Sequence, residues 1–419
     1  MRMLDHCVPL GLVLALVAGC DGSIAAGRLD GGDRPDAAAW DAPAHADDGG
    51  ALPPEAGVPA DGAPADAAPP DGPCVDDCPV YPGVAWGCTT RFVYGTNWAW
   101  RHWAGDFGGI SRWGQAGVAG DSAAVSDGLA QMKAAGVNVI RWWMFPRFYT
   151  ESITFGADDA PSGIGGTLIA DVQAALALAE QQDVFIMLTP FSFDSFTPSR
   201  IDYGIYAPGL QPIVVDASRR LHLLANLMAP LADAVEQSPY RHRMIAWDMI
   251  NEPEWAMTGA SLYGGEGFSP SASLQPVTHA EMETFLNELA AVLHDHSSAL
   301  VTVGSAAIKW ASAWTHTDVD FYQLHYYDWV YEWYPYTTVT LASVGLTDKP
   351  VIMGEFPNQG LSAIASKGLP ARTAAELIDD LWVANYAGAL SWAFNDSAFP
   401  WDPAILQPFA SEHACETRF

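Results

Sequence analysis

Basic residues are scarce in this chain: 19 Lys and Arg stand against 49 Asp and Glu, a net charge of −30. Such a surface repels phosphate, which excludes nucleic acid as a partner. It suits a soluble protein with a neutral ligand. The apolar run 8–18 is too short to span a bilayer comfortably. Neither a phosphate loop nor a dinucleotide fingerprint occurs, and no internal repeat or second folded domain is evident. No cofactor is expected. Cysteine is limited to six residues, whereas tryptophan, at seventeen, is abundant.

The first residues read as a targeting segment, 1–19, with Arg2 ahead of the apolar run. Val17-Ala18-Gly19-Cys20 resembles the bacterial lipobox, in which the cysteine is lipidated and becomes the first mature residue. The expectation is an exported lipoprotein, membrane-anchored through Cys20 and facing the periplasm or the cell surface; an ordinary secretory signal is the alternative. Residues 20–73 are dominated by Ala, Asp, Gly and Pro, with Trp40 the one aromatic. Such a segment buries too little apolar surface to offset chain entropy. It is expected to be a disordered, self-repelling tether, leaving 74–419 as the folded domain.

Two stretches of that domain carry the argument: Met244 to Pro253, containing Asn251-Glu252-Pro253, and Val351 to Pro357, containing Glu355. Each is an apolar run that reaches a glutamate and then a proline. Runs of this length read as strands buried on both faces, and the proline marks where they stop. About a hundred residues separate the glutamates, room for two or three strand–helix units. From about 91 onward strand-like runs alternate with helix-like segments, the pattern of a parallel α/β fold. Strands are expected at 92–97, 137–141, 184–189, at the two glutamate runs, and at 300–303, 321–325 and 389–392. Helices are expected near 122–135, 168–182, 217–236, 279–296 and 371–387, with no good candidate between the fifth and sixth strands. Eight strands predict one (β/α)8 TIM barrel with long loops. Two carboxylates at its mouth are what glycoside hydrolysis needs: one protonates the leaving oxygen, the other attacks or directs water.

These residues resemble clan A glycoside hydrolases, most of all family 5, the cellulase and mannanase family. The resemblance spans nearly all of 91–396. It implies that Glu252 is the acid/base at the end of strand four and Glu355 the nucleophile at the end of strand seven. It implies that Arg141 bonds the nucleophile and Asn251 the sugar 2-hydroxyl. His325 and Tyr327 match a His-x-Tyr at the end of strand six, and Trp392 matches the strand-eight tryptophan that floors the reacting subsite. The stretch 188–193 lacks the histidine that many members carry after strand three. Gly95-Thr96-Asn97-Trp98 and Val139 to Trp143 are similar to the mannanase branch, favouring β-mannan over β-1,4-glucan. The expected partner is a polysaccharide or oligosaccharide, acted on by a monomer with a retaining, endo-acting mechanism. An exo-acting enzyme of the same clan and a non-catalytic carbohydrate-binding lipoprotein are the alternatives.

Many tryptophans follow predicted strands: Trp98, Trp100, Trp103, Trp142, Trp143, Trp255, Trp329, Trp333 and Trp392. Flat aromatic faces stack on sugar rings, and Trp98 and Trp142 are expected to join Trp392 as substrate contacts. Asp248 is expected to be structural; Glu254 is expected on the loop, solvated, with a subsite contact as the alternative. With Cys7 removed and Cys20 lipidated, Cys74, Cys78, Cys88 and Cys415 remain, an even number that implies two disulfides. A metal site is disfavoured because no histidine lies near them. The first and last elements of a closed barrel are neighbours, so the expected pairing is Cys74–Cys78 with Cys88–Cys415.

Overall fold

The computed structural model describes residues 76–419; the targeting segment, Cys20, the tether and Cys74 lie outside the described residues. Eight parallel strands form a ring: β1 Val93–Asn97, β2 Val139–Trp143, β3 Phe185–Thr189, β4 Met244–Asn251, β5 Leu300–Ser305, β6 Tyr322–His325, β7 Val351–Pro357 and β8 Gly388–Trp392. Each pairs with the next, β8 pairs back with β1, and the barrel is closed. Almost every residue in these strands is buried. Inner side chains fill the barrel and outer ones meet the helices, so the strands read as continuous apolar runs.

The helices follow from their apolar stripes and caps. In α2, Leu168–Gln182, the residues Leu168, Val172, Ala175, Leu176 and Ala179 share a buried face at helical spacing. In α5, His279–His296, Thr278 and Glu281 form a capping box, and Thr373 with Glu376 does the same for α7, Ala374–Val383. Further helices, besides the short turns Gly117–Gly120 and Gln211–Val215, are α1 Ser122–Ala134, α3 Ala217–Leu223, α4 Ala229–Glu236, α6 Asp328–Trp333 and α8 Pro403–Glu412. A π-helical turn, Leu224–Met228, joins α3 to α4. Between β5 and β6 the chain makes only a 3-10 helix, Ile308–Trp314, matching the missing helical pattern there.

The N-terminal end of the barrel is plugged. A two-stranded ribbon, Val84–Trp86 with Thr89–Arg91, sets Val84 and Trp86 against a cluster that includes Val93, Val139, Phe185, Ile352 and Phe419. Arg91 donates to Asp76 at 2.5 Å and to the Arg418 carbonyl at 2.7 Å. The disulfide here is Cys78–Cys415. It overturns both expected pairs, because it takes one cysteine from each; Cys88 is disulfide-bonded as well. The first and last segments are neighbours, as closure demands. The ribbon brings Cys78, not Cys88, to the C-terminal segment, with Cα atoms 5.8 Å apart.

Both glutamate strands are irregular just before their glutamates. Along β4, Asp248 faces Thr302 of β5 and Asn251 faces Gly304, so three steps on β4 match two on β5. Along β7, Met353 faces Ala389 of β8 and Phe356 faces Ser391, again three steps against two. An extra residue of this kind re-aims the side chains that follow it.

Candidate active site

Arg141 organises the C-terminal mouth of the barrel. Its guanidinium has five N–H donors, and the buried surroundings supply five contacts. Nε and Nη2 reach Asp248 Oδ2 at 2.8 and 2.6 Å. Nη1 donates to Asn97 Oδ1 at 2.9 Å and to Glu355 Oε1 at 2.6 Å. Nη2 also donates to Asn251 Oδ1 at 2.8 Å. Asp248 accepts further from the Thr189 hydroxyl at 3.0 Å and the Gly304 amide at 2.7 Å. A Cβ at Gly304 would lie 2.9 Å from Arg141 Nη2 and 2.8 Å from the Gln323 amide nitrogen, so a larger residue there would displace these side chains.

The expected residues converge here. Glu355, fully buried, also accepts from the Tyr327 hydroxyl at 2.8 Å. Glu252 follows β4 in a left-handed conformation, with φ 48°. Its Oε1 lies 2.8 Å from His325 Nδ1 and its Oε2 accepts from Trp255 Nε1 at 2.9 Å. One oxygen of each glutamate and a ring nitrogen of His325 all lie within 4.8 Å of one another. Such spacing also suits a cation, but the Arg141 guanidinium already bears on Glu355, and a dication beside it would be repelled. Asn251 places its Nδ2 3.4 Å from Ser192 Oγ, on the short strand after β3 that pairs with β4.

Burial pushes the Glu355 carboxyl above its ordinary range, and charge pairing with His325 and Arg141 and the Tyr327 bond oppose it. Burial also pushes His325 down, to about 4, so it is neutral near pH 7. Arg141 and Tyr327 are then the groups that favour an ionised Glu355.

Two aromatic groups flank the glutamates. Beside Tyr327, Trp143 and Trp392 lie 5.6 Å apart and Trp100 packs on Trp143 at 5.5 Å. Beside Glu252, Trp255 packs against Trp310 and Trp329 at 5.3 and 5.7 Å. Trp98 and Trp142 do not join either group. They stack on each other at 4.8 Å on the outer side of the barrel, where Trp98 meets Gly128 of α1 and Trp142 donates to Asp106 at 2.8 Å. Alternation explains the correction: Asn97, Arg141 and Trp143 point inward, so Trp98 and Trp142 point outward. Trp143 was visible by the same parity. Glu254 is another correction. It is buried and bonded to Ser305, Ala306 and Trp314.

The loop 256–277 is tied back to the β5 side of the barrel. Trp310 Nε1 donates to Gly267 O at 3.3 Å, Lys309 pairs with Glu266 at 3.4 Å, and Phe268 stacks on Trp310.

No family model matches the chain. A mannan endo-1,4-β-mannosidase from Cryptopygus antarcticus is 26% identical, over 73% of this chain and 80% of that protein. One from Mytilus edulis is 23% identical, over 73% and 84%. The chain is similar to β-mannanases. Among solved structures, the β-1,4-mannanase of the sea hare Aplysia kurodai superposes with TM-score 0.62 at 19% identity, covering 79% of this chain and 95% of that one. The Cryptopygus antarcticus mannanase gives 0.59 at 23% identity, covering 76% and 90%. These likenesses establish the barrel fold.

Proposed function

We propose that this protein is a retaining endo-β-mannanase in which Glu252 is the acid/base and Glu355 the nucleophile. The observation that carries the reading is the meeting of Glu252 and Glu355, from different strands, within 4.8 Å and in unlike surroundings. Retaining glycosidases hold their carboxyl groups about 5–5.5 Å apart, and inverting ones leave room for a water. The likeness to mannanases supplies the substrate class.

In the first step Glu252 gives its proton to the glycosidic oxygen as Glu355 attacks the anomeric carbon. The leaving sugar departs and a glycosyl–enzyme ester forms. Glu252 then takes a proton from water, which attacks the same carbon and frees Glu355. Arg141 favours the ionised form of Glu355 against its burial, and Tyr327 orients it. Neutral His325 orients Glu252 through the contact of its Nδ1 with Oε1. Asn251, fixed by Arg141, is aimed at the sugar 2-hydroxyl. The partly exposed Trp255 and Trp329 stack sugars on one side of the scissile bond and the partly exposed Trp100 on the other, backed by the buried Trp143 and Trp392.

The test is hydrolysis of β-mannan, cellulose and xylan by the purified protein, with product sizes and anomeric configuration read out. Mixed oligosaccharides from mannan with retained β-configuration support the reading. Monosaccharide released from chain ends, or an inverted product, overturns it.

A further inference from the structure

We infer that Glu254 is a positioning residue for Glu252: its carboxylate clamps the turn after β4 to the turn after β5 and so sets where Trp255 and Glu252 point. The inference rests on the reading of Glu252 as acid. Glu252 opens the 3-10 turn Pro253–Ala256 from a left-handed conformation, φ 48° and ψ 50°. A non-glycine residue persists there only when its surroundings over-determine it. Backbone bonds supply part of that constraint. The Glu252 amide donates to Gly304 O at 2.6 Å, and the Trp255 amide to Glu252 O at 3.2 Å.

Glu254 supplies the rest. Its Oε1 accepts from Ser305 Oγ at 2.5 Å and from Trp314 Nε1 at 2.8 Å, and its Oε2 from the Ala306 amide at 3.1 Å. Ser305 and Ala306 directly follow Gly304, so the two turns are joined on both sides of Glu252. Trp314 lies on the same 3-10 helix as Trp310, against which Trp255 packs. The carboxylate therefore locks the Trp255 indole, whose Nε1 donates to Glu252 Oε2, between the acid and the aromatic wall.

The choice of residue supports a positional role. All three donors are neutral, and burial without a cation is unfavourable for a carboxylate, which burial pushes up to about 7. An apolar side chain would fill the space at less cost. A carboxylate alone accepts from three donors at once; glutamine has one acceptor oxygen and turns its NH2 towards a donor.

The test compares kcat/KM of the full-length wild type, Glu254→Gln and Ser305→Ala on β-mannan and on an aryl β-manno-oligoside with an activated leaving group. Removing well-placed acid assistance costs on the order of 10²-fold on the polymer. Glu254→Gln should show that loss on mannan and keep the aryl substrate within about threefold of wild type, since that leaving group needs little protonation. Ser305→Ala should show the same selectivity at about tenfold, and decides alone if Glu254→Gln fails to fold. Equal losses on both substrates, or none, overturn the positioning role while the glycosidase reading stands. A wild type inactive on both overturns that reading and this one with it.

Discussion

Asp248 and Asn251 lie three residues apart on one strand, yet both bond Arg141, at 2.8 Å to Nε and 2.8 Å to Nη2. A regular strand would send them to opposite faces. The register shift between them brings both inward, so the residue before the proposed acid and a charge deeper in the barrel grip one guanidinium. Arg141 is thereby fixed on one side by Asp248 and left to meet Glu355 on the other. The position of Arg141 at the site is thus set by buried partners below it.

Arg141→Met follows directly. It leaves Asp248 and Glu355 buried without their cation, and breaking a buried pair in this way costs about 3–5 kcal/mol. Urea unfolding should report that loss. Activity should fall by more than the stability loss explains, since Glu355 would lose the cation that opposes its burial.

The strand order, the missing helix between β5 and β6 and the convergence of Arg141, Asn251, His325, Tyr327 and Trp392 on the two glutamates were legible in the sequence. The first two rest on buried apolar runs and their end points, the convergence on the resemblance to the family. The parity of Trp98 and Trp142 was legible too, but proximity to a strand end outweighed it. The bulges in β4 and β7 were not, because an extra residue inside an apolar run leaves no compositional mark. Glu254 was missed because its donors, Ser305, Ala306 and Trp314, are distant in sequence, and a glutamate in a loop is ordinarily solvated.

The two glutamates should separate kinetically. Glu355→Ala should abolish turnover on every substrate, and azide should restore it with an inverted glycosyl azide product. Glu252→Ala should slow natural mannan by on the order of 10²–10⁴-fold, yet form the glycosyl–enzyme readily from activated aryl glycosides. Product analysis by NMR and a leaving-group series check both, and similar losses across the series would contradict the assignment of Glu252.

Asp106 gives a pH test of the loop that carries Trp100. It is buried and accepts from the Arg101 and His102 amides and from Trp142, and burial pushes it up to about 6. A carboxyl raised above its unfolded value contributes stability that is complete below about pH 3.8 and lost as pH rises through about 6. His325 and His279, both pushed down by burial, act in the opposite sense, so the comparison must be with a variant. The stability of wild type relative to Asp106→Asn should shrink steadily between pH 4 and pH 7. A difference independent of pH in thermal unfolding would contradict the raised value.

The Cys78–Cys415 bond closes a loop of 337 residues. Cross-links of long loops typically stabilise by about 2–4 kcal/mol, chiefly by restricting the unfolded chain. Cys415→Ala should lower the unfolding free energy by that amount with kcat unchanged, since the bond lies at the plugged end, opposite the glutamates. A fall in kcat at temperatures where the variant is fully folded would mean that the plug and the site communicate.

Cys20 carries the last expectation. The small residues Val17-Ala18-Gly19 before it match the lipobox pattern, and the acidic stretch after it has no membrane affinity of its own. Lipid on Cys20 would then supply all of the attachment. Cys20→Ser should move the protein from the membrane fraction to the soluble fraction of the expressing bacterium, with activity per folded molecule preserved. Unchanged fractionation would point instead to an ordinary secretory signal or another anchor, and mass spectrometry of the mature N-terminus would tell those two apart.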